Sequence, residues 1–243
     1  MTFCLGVKVK EGLVGIADTR VTSGTECISA RKITTYQGER HSFFMMTSGL
    51  RSVRDKSLTY FEEAMDTKGA DCDRLFKAVN LYAEQVRRVA HEDREALREG
   101  GLSFNMHALI GGQMGADKEH KLFLMYPEGN WVDIGQGTPY HIIGASGYGK
   151  PVLDRTLKYT DPMRFALKVG CLAFDSTRIS AADVDFPIDV VLYPMNSFQF
   201  VEHRFEKKDL ADTSSWWQER LRKSVTELPE TWMESLLQQI KPT

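Results

Sequence analysis

Cysteine is sparse in this chain, and the little there is cannot be read as a scaffold. Cys4, Cys27, Cys72 and Cys171 are scattered through 243 residues with no C-x-x-C pair. Such spacing excludes a short disulfide framework or a structural zinc site and fits a reducing compartment. Histidine supplies no metal set either, because His41, His91, His107, His120, His141 and His203 show no H-x-x-x-H spacing. No apolar run approaches the roughly 20 residues that a membrane helix needs, and no basic-then-apolar leader opens the chain. An excess of one charge is missing as well. The formal net charge is −2 at pH 7 with basic and acidic residues interleaved, so the footprint of a nucleic-acid binder is absent. The expectation is a cytoplasmic protein with no cofactor and no membrane or nucleic-acid partner.

What is present is a core. With 42% hydrophobic residues the chain has enough apolar side chains for one large domain, and no linker, low-complexity tract or repeat divides it. The organisation expected is a domain over 1–209 followed by a helical extension over 210–243. Alternation predicts a hairpin from Phe3–Val9 and Leu13–Ala17, followed by strands at Ile33–Tyr36 and Ser42–Thr47 that complete an antiparallel sheet. Helical spacing follows over 51–66 and 73–99, where Gly100-Gly101 ends the second helix. The charges on that second helix read as a solvated face.

A second group of strands is predicted at 106–111, 121–126, 131–134 and 140–143, then helices at 151–157 and 162–174, then strands at 188–193 and 199–205. This order suits an α+β, four-layer αββα sandwich, two antiparallel sheets face to face with helices outside. The tail from Ser214 to Ile240 reads as helix interrupted at Pro229, and its Trp216, Trp217 and Trp232 suit an arm that packs on a neighbouring subunit. A helix folded onto its own body is the plainer reading.

The chemistry starts at residue 2. If Met1 is removed, Thr2 carries a hydroxyl nucleophile and a free α-amine on one residue, and no activation cleavage of a longer segment is expected. The amine has an ordinary pKa of about 7.7–8.0, so it serves as a general base near neutral pH with little tuning. Lys32 and Asp18 are the candidates that complete the site. An ammonium beside the hydroxyl favours the alkoxide, and a carboxylate keeps that ammonium charged and aimed. Cys4 lies two residues inside the strand and is read as a core residue rather than a terminal nucleophile.

These residues resemble the β-type subunits of proteasomes and their bacterial relatives. Ala17-Asp18-Thr19-Arg20-Val21-Thr22-Ser23-Gly24 is similar to that family's Ala-Asp-Ser-Arg-Ala-Thr-x-Gly segment, and Arg31-Lys32-Ile33 to its Lys-Lys-Val segment. Thr47-Ser48-Gly49, Gly144-Ala145-Ser146-Gly147 and Asp175 continue the likeness. The start at Thr2 and the Trp-rich extension are most similar to the ancestral β-subunit group, Anbu. The resemblance implies a four-layer N-terminal nucleophile hydrolase acting as a threonine-type peptidase on polypeptides or peptides. It also implies self-assembly into a ring or a split, spiral ring.

By the same resemblance, Gly49 is the candidate oxyanion donor, Ser146 the group that orients the Thr2 amine, and Asp175 a further catalytic residue. Thr22 presents main-chain groups to an extended substrate, and Val21, Arg31 and Met46 line a specificity pocket. The pattern departs after Asp175, where Arg178 stands in place of a serine. Ser176, Thr177 and Ser180 are then equal candidates for holding the amine. Two other readings stay open: a non-proteolytic assembly or binding subunit of this fold, and an amidohydrolase of small amides. No segment specifies an ATPase partner. Gly144 to Lys150 satisfies part of a phosphate-binding loop, but Pro151 replaces the required hydroxyl and lacks an N–H. A G-x-S-x-G elbow fails at Tyr148.

Overall fold

The computed structural model describes residues 2–23 and 26–240, with the side chains at 22, 23, 26 and 27 outside that description. Twelve strands and six α-helices are formed by these residues. Strands β1 (Phe3–Val9) and β2 (Gly12–Asp18) make the expected hairpin, buried along its whole length. The ribbon β3 (Arg20–Ser23) and β4 (Glu26–Ser29) follows as a sheet of its own. Next come β5 (Ile33–Gly38), β6 (His41–Gly49), α1 (Arg51–Lys68) and α2 (Leu75–Glu99). The rest of the main body is β7 (Met106–Met114), β8 (Lys121–Met125), β9 (Trp131–Asp133), β10 (Tyr140–Gly144), α3 (Lys150–Thr156), α4 (Met163–Ser180), β11 (Ile188–Pro194) and β12 (Val201–Phe205).

Two five-stranded antiparallel sheets result, in the orders β10-β1-β2-β11-β12 and β5-β6-β7-β8-β9. The αββα layering is therefore as expected, but the grouping of strands is not. The sequence order suggests that β5 and β6 extend the first hairpin, whereas they open the second sheet. In their place, β10 pairs with β1 and β11 pairs with β2. Periodicity fixes which residues share a face and is silent on which strand lies alongside. The β3–β4 ribbon was not foreseen. Ile28 and Ser29 are exposed, and the ribbon's residues show no apolar alternation in the sequence that would mark a strand.

Strand parity builds the core. On β6, Phe43 and Met45 face α1 and α2, packing with Val53, Phe61, Val79, Tyr82 and Val86. Their neighbours Phe44 and Met46 face the other way, into the layer between the sheets with Cys4, Leu109, Leu122, Val191 and Tyr193. Alternate residues point to opposite faces, so a strand buried on both sides is apolar at every position. On the outer face of the first sheet, α4 comes close because Gly170 has no side chain. A Cβ there would meet Ile16 Cδ1 at 2.6 Å and Leu5 Cδ2 at 3.2 Å. Helix α4 also runs six residues past its expected end, with Ser176 and Thr177 hydroxyls donating to the carbonyls four residues back.

The chain divides into two compact units, Met1–Lys207 and Lys208–Thr243. The second carries α5 (Ala211–Thr226) and α6 (Glu234–Leu237), with Pro229 between them. Neither helix contains a buried residue, and Trp216, Val225, Trp232 and Leu236 are exposed.

Candidate active site

Thr2 is clamped through its own backbone. Its carbonyl accepts a hydrogen bond from Ala145 N at 2.7 Å, and the following amide, Phe3 N, donates to Asp18 Oδ1 at 2.8 Å. From Phe3 onward, β1 is held by β2 on one side and β10 on the other. A side chain carried at such a position is placed by the sheet rather than by its own contacts. The segment that approximates a phosphate loop has this task instead: Gly144 pairs with Phe3 at the end of β10. Its φ is +89°, and a Cβ there would lie 1.9 Å from the Thr2 carbonyl oxygen. Glycine is needed here for both the conformation and the approach.

Asp18 ends β2 and Lys32 precedes β5, so the two elements bring them together across the sheet boundary. Lys32 Nζ lies 2.6 Å from Asp18 Oδ1 and 2.6 Å from the Arg20 carbonyl oxygen. Asp18 Oδ1 thus bridges the strand of Thr2 and the lysine. Both side chains are buried, at 0% and 4% exposure. Burial pushes the Asp18 carboxyl above the ordinary carboxylate range, opposed by the Lys32 ammonium and by hydrogen bonds to its oxygens. Asp18 Oδ2 is buried without a partner among the described residues.

A cavity of about 340 Å³ opens beside this pair, lined by Thr2, Lys32 and Gly49 together with Arg20, Val21, Thr47, Ser48, Arg51, Arg54, Asn105 and Gly144. An ammonium has three donors, and two of those on Lys32 are taken by Asp18 and Arg20. The third remains for the cavity. Gly49 closes β6 with φ +134°, and a Cβ on it would fall 2.0 Å from the Asn105 carbonyl oxygen. The backbone can pass there only as glycine, at the point where the chain enters α1.

The structure brings Thr2, Asp18, Lys32, Gly49 and Val21 together, and it places the other candidates elsewhere. Met46 is fully buried between the sheets and does not line the cavity. The parity of β6 sends it to the inner face. Arg31 is exposed and ion-paired with Glu202, in a separate depression with Asp189 and Arg204. It neighbours Lys32 in sequence but points to another surface. Ser146 is exposed in the turn before α3 and is not among the lining residues. Asp175 is buried on α4, where Oδ1 accepts from Arg178 Nε at 2.9 Å. The preceding Phe174 ring packs on Phe3, 5.9 Å between centroids. The hydroxyls of Ser176 and Thr177 donate to helix carbonyls, and Ser180 is exposed. The main chain of Thr22 belongs to β3, opposite Cys27, while its side chain lies outside the described residues.

Missed by the sequence reading were Arg20, Arg51, Arg54 and Asn105. Arg20 stood inside the octapeptide, and Arg51 and Arg54 lay in a stretch from which only helical spacing was read. Among the described residues no group of three His, Cys, Asp or Glu side chains is placed to hold a metal ion. No helix there is long and apolar enough to cross a membrane.

No protein-family model and no curated protein matches the chain. Solved structures do. The Anbu protein of Pseudomonas aeruginosa, solved as a helical assembly of the Anbu complex, superposes with a TM-score of 0.87 at 27% identity, covering 93% of this chain and 97% of that one. Anbu (ancestral β-subunit) from Yersinia bercovieri gives 0.86 at 28% identity, covering 93% and 98%. Anbu from Hyphomicrobium sp. strain MC1 gives 0.85 at 26% identity, covering 94% and 98%. Over nearly its whole length the chain matches the ancestral β-subunit proteins, Anbu, the group that its N-terminal segments resemble.

Proposed function

We propose that the protein is a threonine-type peptidase subunit of a self-assembling, proteasome-like complex, with Thr2 as nucleophile once Met1 is removed. The observation that carries this reading is the Lys32 ammonium. It is held 2.6 Å from both Asp18 Oδ1 and the Arg20 carbonyl, with one donor left toward a cavity that Thr2 also lines. Thr2 Oγ attacks the amide carbonyl while the Thr2 amine, directly or through a water, takes the hydroxyl proton. Lys32 favours the alkoxide, and Asp18 keeps Lys32 charged and in place. The Gly49 N–H receives the tetrahedral oxygen. The amine then returns the proton to the leaving nitrogen, and water releases the acyl group from Oγ by the reverse sequence.

An extended substrate pairs along β3, whose one strand partner among the described residues is β4. Assembly rests on the likeness to a protein solved as a helical complex and on the exposed tryptophans of the second unit. The test is acylation by an electrophilic peptide, read by intact mass. The processed chain gains one adduct on Thr2, while Thr2→Ala gains none and keeps the same assembly. Equal labelling of both sinks the mechanism, and a mass that retains Met1 leaves only the scaffold reading.

A further inference from the structure

The cavity beside Thr2 is cationic beyond what the proposed chemistry uses. Arg20, Lys32, Arg51 and Arg54 line it, and no carboxylate does among the described residues. Lys32 is accounted for by Asp18. Arg51 and Arg54 share a single carboxylate: Asp55 takes Arg54 at 2.6 Å and Arg51 at 3.3 Å. One negative charge against two guanidiniums leaves an excess at the cavity. Arg20 meets Asp185 at 3.4 Å and keeps a buried Nε without an acceptor among the described residues.

The setting of the two helix arginines points the same way. Both sit in the first turns of α1, an 18-residue helix with no acidic residue in its first turn and no side-chain cap from Leu50. Cations at that end oppose the helix dipole, and uncapped N–H groups there await an acceptor. An arrangement that is unfavourable for the helix alone becomes favourable when an anion enters. Arg54 has a side chain only 16% exposed, so an ion pair made with it would be partly shielded from solvent.

We infer that this cavity binds an acidic side chain of the substrate on the acyl side of the scissile bond, so that cleavage follows glutamate or aspartate. The inference rests on Thr2 acting as nucleophile. A substrate strand laid along β3 presents the side chain of the attacked residue next to Thr2, and the cavity walls there are Arg20, Val21, Arg51 and Arg54.

The test uses the processed full-length protein and peptides that differ only at the attacked residue. The Glu peptide is expected to exceed its Gln match by about ten-fold or more in kcat/KM, as a charge-assisted pair requires. That ratio should shrink as salt rises from about 0.05 to about 0.5 M. Arg54→Gln and Arg51→Gln bring the ratio to within about two-fold of unity, whereas a purely structural role lowers both rates and keeps the ratio. Asp55→Asn, which releases both guanidiniums, raises it. Measurable turnover with equal rates on Glu and Gln peptides overturns the inference and leaves the Thr2 mechanism standing. A preference that follows a free rather than amidated peptide C-terminus overturns it too, since the cavity would then read the chain end. If no peptide turns over, calorimetry on Thr2→Ala decides separately. Binding of N-acetylglutamate amide over N-acetylglutamine amide supports the inference, and equal or absent binding of the two rejects it.

Discussion

Asp18 is fully buried, paired with one lysine, and bonded to the backbone amide that follows Thr2. Removing the lysine alone leaves that carboxylate uncompensated, which typically costs about 3–5 kcal/mol. Lys32→Ala is therefore expected to lower the free energy of urea unfolding by that order, and the double variant with Asp18→Ala to lose less than the sum. The same pair sets the pH response. Burial raises the Asp18 pKa above 3.8, so on acidification the carboxyl takes up its proton earlier than an exposed aspartate. Protonation removes the negative partner of Lys32 and slows acylation, and raising the pH restores it. Protonation of the Thr2 amine sets the first acid limb of the acylation rate, and a second, steeper loss at lower pH, still above pH 3.8, should report Asp18. A second step at or below that value contradicts the assignment.

Among the elements, β1 and β10 decide where Thr2 stands. Gly144→Ala puts a methyl group where the Thr2 carbonyl oxygen already is, at a φ that costs about 1–3 kcal/mol for most residues. The expected outcome is a lower unfolding midpoint together with at least about ten-fold slower acylation, since a displacement near 1 Å costs about 10²-fold. Gly147→Ala three residues on is the control, because nothing lies within 4 Å of its added Cβ. It should stay within about 0.5 kcal/mol of the parent. Similar losses for both would mean that the turn, not the Thr2 contact, is sensitive. At Gly49 the same logic holds, with the Asn105 carbonyl as the obstacle.

On the scale of the whole molecule, the buried hydrophobic side chains among the described residues all belong to the unit Met1–Lys207. A chain ending at residue 207 should therefore still unfold in one cooperative transition. If the exposed tryptophans of the second unit serve assembly as proposed, the shortened chain also sediments as a much smaller species. Retention of the full assembly size would assign the interface to the first unit.

That Thr2, Asp18 and Lys32 are candidates for one site was legible because a matched octapeptide and the Arg31-Lys32-Ile33 segment fix residue type and spacing from Thr2. The layering was legible because apolar runs and helical stripes follow in an order that two facing sheets satisfy. Other features depended on contacts between residues far apart in the chain. Which strands lie side by side is settled by hydrogen bonding across the sheet, so β5 and β6 joined β7 rather than β2. Parity on β6 turned Met46 inward, and the Arg31 side chain left the site for Glu202. The sequence determined which groups are candidates for the chemistry, since that is a property of residue type. The arginine-lined cavity was decided by tertiary structure, because charge on a helix surface acquires meaning only from what the helix faces.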